Sequence, residues 1–244
     1  NKCRCVEFIK KAVNDNCELA VFPEMTLTGF SMNIELTSEA LEKSETVDFF
    51  KTIAIRNGIN IIFGFTEKQE QKVLNQAVFV SSVGEIKAIY SKVHPFSFVG
   101  EDKIFNSGNS LKIVDFENWK IGLTICYDLR FPELFQALSK KCEIIINIAN
   151  WPEKRVEHWN VLLRARAIEN QVFMIGVNRT GIDNNKISYT KSSQIVNPEG
   201  KIEKAIYTED EYDLFNIETE LVNSIRHSFP VKKDRKPEFY KQIL

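Results

Sequence analysis

Four short apolar runs, Leu19–Phe22, Ile59–Phe65, Glu143–Ile148 and Val172–Val177, constrain this chain most, because each reads as a buried strand. Helical patterns lie between them. The tail of a helix is expected over Val6–Val13, an amphipathic helix over Thr37–Arg56 and a long charged helix over Glu153–Gln171, which gives an α/β rhythm. Hairpins interrupt that rhythm. Leu74–Val83 and Glu85–Lys92 flank the turn Val83-Gly84, and Leu111–Phe116 and Trp119–Ile125 flank Glu117-Asn118. Ser193–Val196 and Lys201–Tyr207 flank "NPEG", and Asp213–Ile217 reads as a last strand before a short helix. Strands outnumber helices and no linker rich in Pro, Gly or Ser divides the chain. The expected fold is therefore α/β, two packed mixed sheets covered by helices, in one domain over residues 1–244.

Composition narrows the partners. A net charge of −1 with Lys and Glu interspersed leaves no basic stripe for nucleic acid, and no run approaches the roughly 20 apolar residues of a bilayer span. No leader pattern opens the residues given, so a cytoplasmic location is expected. The five cysteines are odd in number and irregularly spaced, which predicts reduced thiols. Cys3-Arg4-Cys5 lacks a second ligand pair, and His94, His158 and His227 stand singly, so no metal is expected.

Three strands end in residues able to do chemistry. In "AVFPEMTLTGF" a buried run stops at Pro23 and presents Glu24, a carboxylate that is costly there unless paired. In "IYSKVHPFSFVGED" Lys92 ends a strand and Glu101 follows nine positions later. In "WKIGLTICYDLRFPELF" Cys126 stands at a sharp strand-to-helix transition, where an exposed nucleophile is often held and where the Tyr127 N–H favours a thiolate or an oxyanion. Taken singly, each has a plainer alternative: a turn residue, a solvated edge lysine, a buried structural thiol. Phe30 and Trp151 are candidate pocket walls, with plain core packing as the alternative. Arg130 is a candidate ion-pair partner for Asp128 or Glu133.

The segments "FPEMTLTGF", "SKVHPF" and "ICYDLRFPE", in that order, resemble the Glu, Lys and Cys motifs of the nitrilase superfamily of carbon–nitrogen hydrolases. The likeness continues through Asn147–Gly181 and is greatest to the omega-amidase branch, which acts on 2-oxoglutaramate. It implies an αββα sandwich, a homodimer formed through helices near the nucleophile, and a cofactor-free amidase acting on a small-molecule amide. It also implies roles: Cys126 as nucleophile, Glu24 as general base, Lys92 and the Tyr127 N–H as oxyanion donors, and Glu101 as a second glutamate that orients Lys92 or the substrate. Members of the family begin with a strand not represented here, so one sheet edge is expected to differ. A true nitrilase would carry Trp-Glu after the cysteine where Tyr127-Asp128 stands, and a class I glutamine amidotransferase would need Gly-x-Cys-x-Gly. An idle scaffold of the same fold remains the alternative from another class.

Overall fold

The structure, a computed structural model, describes residues 1–218 and 220–243. Helix α1 (Lys2–Asn14), strand β1 (Leu19–Val21), the short helix α2 (Ile34–Thr37), helix α3 (Glu45–Asn57) and strands β2 (Asn60–Lys68), β3 (Val73–Val80) and β4 (Ile86–Ser91) form the first half. The first sheet has the order β1-β2-β3-β4, parallel at β1/β2 and antiparallel beyond. Strands β5 (Ile113–Phe116) and β6 (Trp119–Ile125), helix α4 (Pro132–Leu138), β7 (Ile144–Ala149), α5 (Val156–Asn170) and β8 (Phe173–Asn178) follow. The chain then runs through β9 (Gly181–Ile182), β10 (Ser188–Tyr189), β11 (Gln194–Val196), β12 (Tyr207–Glu209), β13 (Tyr212–Leu214), α6 (Glu220–Ser228) and α7 (Pro237–Ile243). The second sheet is β11-β8-β7-β6-β5, parallel through β6, β7 and β8 and antiparallel at both edges.

The central strands lack polar alternation because they are buried on both faces. Along β2, Ile61, Phe63 and Phe65 pack with Phe50, Ile53 and Ala54 of α3 and with Ile9 of α1, while Ile62 points the other way. Ile62 joins Phe79, Tyr90, Leu123, Ile125, Ile144, Ile146 and Ile148 in the layer between the sheets. Ile145, on the opposite face of β7, packs with Phe135 and Leu138 of α4 and Leu163 of α5. The result is four layers in the order helix, sheet, sheet, helix. No helix among the described residues is long and apolar enough to cross a membrane.

Two boundaries depart from the sequence expectation. The helix expected from Thr37 begins at Glu45. Ser44 caps it by accepting from the Val47 N–H, and the Glu39 carboxylate takes bonds from Ser44 Oγ and from the Thr46 N–H and Oγ. Residues 38–40 run extended to bring Glu39 to these contacts, and Leu41–Lys43 form a single 3-10 turn, so the α-helix starts only at Glu45. Nor is Lys201–Tyr207 a strand beside β11: only Ile202 bridges to Val196, and Tyr207 pairs with Leu214.

Gly64 fixes how closely the Glu24 turn lies on the first sheet. A Cβ there would sit 2.1 Å from the Met25 nitrogen and 2.6 Å from the Glu24 Cα, both backbone atoms. Thr26 closes the same contact, its N–H donating to the Gly64 carbonyl and its Oγ accepting from the Gly64 N–H at 2.9 Å. Gly64→Ala is expected to cost about 1–3 kcal/mol and to lower turnover by displacing Glu24. A thermal melt and an activity assay check both; wild-type values in both would show that the turn tolerates a methyl group.

Candidate active site

β1 runs parallel to β2, and β4 lies two antiparallel steps away, so β1 and β4 point the same way. Their C-terminal ends carry Glu24 and Lys92. The parallel strands β6 and β7 end in Cys126 and Asn150. The ends meet across the seam between the sheets. Lys92 Nζ donates to Glu24 Oε1 at 3.1 Å and to both Glu101 carboxylate oxygens at 2.9 Å. All three side chains are buried, with Lys92 only 2% exposed.

The two carboxylates have further donors. Asn75 Nδ2 donates to Glu24 Oε1 at 2.7 Å and to Glu101 Oε1 at 3.2 Å. The Asn150 N–H and Nδ2 donate to Glu24 Oε2 at 2.9 and 3.2 Å, and the same Nδ2 donates to the Glu24 carbonyl at 2.7 Å. Glu101 Oε2 also accepts from the Phe96 N–H at 2.6 Å. Four donors thus surround the Glu24 carboxylate, about as many as it can accept. Burial favours its neutral acid, but the Lys92 charge and the bonds from Asn75 and Asn150 outweigh that and hold its pKa below the ordinary carboxyl value. Burial likewise opposes the Lys92 ammonium, and the charges of Glu24, Cys126 and Glu101 reverse the effect and raise its pKa above the ordinary lysine value.

Cys126 has φ +45°, in the left-handed region that side-chain-bearing residues rarely occupy. The strain is held by Asp128, fully buried two residues on. Its carboxylate accepts from the Ile125 N–H at 3.0 Å, the Tyr90 hydroxyl at 2.7 Å, and the His94 N–H and Nδ1 at 3.0 and 2.8 Å. The end of β6 is therefore tied to β4 and the segment after it. Burial first, and the Glu24 charge second, push the Cys126 thiol well above its ordinary pKa. The ground state is a neutral thiol beside a carboxylate. Among the described residues the side-chain donors to Glu24 are Asn75, Lys92 and Asn150, and the thiol is not one of them.

Tyr127 is the second residue of the one-turn 3-10 helix Cys126–Arg130, where the first N–H groups have no acceptor within the helix. Phe30 lies beside the ammonium, its ring centroid 6.0 Å from Lys92 Nζ. Trp151 is buried against Trp159 and presents a ring face to the Arg130 guanidinium, 5.0 Å away. Arg130 forms no ion pair with Asp128 or Glu133: Asp128 is occupied by Tyr90 and His94, and the guanidinium turns outward to sit over Trp151 and Tyr127 and to meet His158 Nδ1 at 3.1 Å. No carboxylate pairs with Arg130 among the described residues. Asn75 and Asn150 were not singled out from the sequence, and Asp128 was read only as a partner for Arg130 and as the residue after Tyr127. The available signal was polarity, since Asn75 interrupts a fully buried strand and Asn150 follows one. A cavity of about 1200 Å³ beside the edge strand β1 reaches Glu24, Phe30 and Asn150 but is not lined by Cys126 or Lys92.

Residues 3–222 match the family described as Carbon-nitrogen hydrolase. The chain belongs to that family. The carbon–nitrogen hydrolase described here is similar to Omega-amidase YafV of Escherichia coli (strain B / BL21-DE3), 34% identical over 221 residues, 89% of this chain and 84% of the relative. It is also similar to the 2-oxoglutaramate amidase of Paenarthrobacter nicotinovorans, 33% identical over 235 residues, 91% of this chain and 80% of that one. Among solved structures it resembles XC1258 from Xanthomonas campestris, a CN-hydrolase superfamily protein with an arsenic adduct in its active site. That match has a TM-score of 0.86 at 27% identity and covers 97% of this chain and 92% of that one. The αββα arrangement is thus the nitrilase fold.

Proposed function

We propose that this enzyme hydrolyses the terminal amide of small ω-amido acids, of the 2-oxoglutaramate kind, to a carboxylate and ammonia through a thioester on Cys126. The observation that carries this reading is a thiol held at a strained strand end beside the buried Glu24–Lys92 ion pair. Cys126 Sγ bonds to the amide carbon as its proton passes to Glu24, and the oxygen becomes an oxyanion held by Lys92 Nζ and the Tyr127 N–H. Glu24 returns the proton to the nitrogen, the C–N bond breaks and ammonia leaves. Water then attacks the thioester while giving a proton to Glu24, and collapse frees the acid and restores the thiol. Glu101 keeps the ammonium aimed by taking two of its hydrogen bonds, and the third, given to Glu24 Oε1 at rest, is released to the oxyanion as Glu24 takes up the thiol proton.

Arg130 supports the substrate class. It is four residues from the nucleophile, stacked on Tyr127 and Trp151 and free of any acidic partner among the described residues, so a carboxylate at the far end of the substrate would supply one. The names of the relatives point to the same amides. We would measure kcat/KM for 2-oxoglutaramate, succinamate, butyramide and a matched nitrile. The carboxylated amides are expected to lead, hydroxylamine is expected to trap the acyl group as a hydroxamate, and Arg130→Met is expected to cost the carboxylated amides about 10- to 100-fold, with butyramide unchanged. A neutral amide or the nitrile outrunning both carboxylated amides would overturn the substrate class, and absence of hydroxamate the thioester.

A further inference from the structure

Two buried carboxylates share one ammonium at this site, an excess of negative charge in a place closed to water. Among the described residues, Lys92 is one of two groups that touch both carboxylates. The other is the Asn75 side-chain amide, only 1% exposed, whose single nitrogen donates to Oε1 of Glu24 and to Oε1 of Glu101. The amide can face only one way, because reversing it would set its oxygen against two acceptors. In this orientation Oδ1 has no partner among the described residues, so the side chain leaves its own acceptor unsatisfied to place both N–H groups on the carboxylates. The Asn75 carbonyl also accepts from the Lys92 N–H at 2.8 Å. One residue of β3 therefore anchors the main chain of the ammonium and the side chains of both its counter-charges.

We propose that Asn75 is a positioning residue that keeps Glu24 ionised and ready to accept the Cys126 proton, by giving each of the two glutamates a neutral donor from one nitrogen atom. Asparagine suits the position by chemistry. A serine offers one hydrogen, an aspartate would add a third negative charge, and a lysine would neutralise the excess that lets Glu24 act as a base. The charged and titratable groups facing Glu24 are Lys92 after β4, Glu101 in the loop beyond it, Cys126 after β6 and, further off, Tyr189 of β10. Asn75 is the uncharged member of the set and tunes the others without titrating. The proposal rests on the hydrolytic reading above only for the substrate whose chemistry Glu24 serves.

The test is the pH dependence of Cys126 alkylation by iodoacetamide, followed by the mass of its own peptide because Cys3 is exposed. This readout needs no substrate. Alkylation falls where Glu24 takes up a proton, and removing a hydrogen bond to a charged group in Asn75→Ala is expected to move that acid limb upward by about one pH unit. Asn75→Asp, which keeps the shape but replaces the donor by a charge, is expected to move it further the same way. In steady state kcat should fall about 10- to 100-fold with KM within about threefold. A lower melting temperature with an unmoved limb and wild-type turnover per active site would reduce Asn75 to a structural role and overturn the proposal. Should Asn75→Ala not fold, Asn75→Asp decides on the same limb. If the wild type cleaves none of the amides offered, a shifted limb still upholds Asn75 while the substrate reading fails by itself.

Discussion

Cys126→Ala is expected to lower ammonia release by at least about four orders of magnitude with the fold intact. Alanine keeps the same φ +45° as readily as cysteine, so the turn held by Asp128 and the Ile125 N–H has no reason to relax. What disappears is the sulfur that would bond to the amide carbon. Two of the remaining thiols are buried. Burial pushes Cys5 up to about 11 and Cys142 up to about 12, and both are packed in apolar layers away from Glu24. The measurement is turnover alongside a thermal melt. Activity within about tenfold of wild type in a folded Cys126→Ala protein would end the assignment of Cys126 as nucleophile.

Lys92→Met is expected to destabilise the protein by about 3–5 kcal/mol at pH 8, because it strands two buried carboxylates with only neutral donors. The pH dependence has a definite sign. In the wild type the Glu24 pKa lies below its ordinary 4.5, so its contribution to stability is complete above that value and is lost as pH falls through the lower, folded one. The Lys92 pKa is raised, so its contribution is complete below the ordinary 10.5 and lost only as pH rises through the higher, folded value. Without the ammonium the Glu24 carboxyl loses the charge that holds its pKa down, and the variant regains stability relative to wild type as acid protonates it. Urea denaturation at pH 8 and pH 5 reads the difference. A deficit under about 1 kcal/mol at pH 8, or one independent of pH, would mean that the ion pairs contribute little.

Strand composition made the layers legible, because runs such as Ile59–Phe65 and Glu143–Ile148 can be satisfied only by cover on both faces. Glu24, Lys92 and Cys126 were legible for a related reason. Each breaks the apolar pattern at the end of a strand, where a polar group draws attention, and the resemblance supplied their order and Glu101. Asn75 and Asn150 were not. Their partners lie 51 and 126 positions away, and nothing local distinguishes an asparagine that bridges two carboxylates from one that caps or turns. The late start of α3 was hidden similarly, since the Glu39 carboxylate that fixes it acts from outside the helix. Arg130 was placed with the nearest acids in sequence, but Asp128 was already taken by the end of another strand.

The clamp on Glu24 draws one amide from each sheet, Asn75 from the first and Asn150 from the second, and this ties chemistry to assembly. The first sheet alone cannot satisfy the buried charge it brings to the seam. The first carries two acids and one base, and the second carries the thiol and the main-chain donor that completes Glu24. Closing the seam is thus the step at which solvation by water is exchanged for solvation by the protein, and a half-docked intermediate would hold ions stripped of both. Such an intermediate would carry a penalty that favours docking in one step, and the buried charge cluster at the seam serves as a latch between the two halves of the fold.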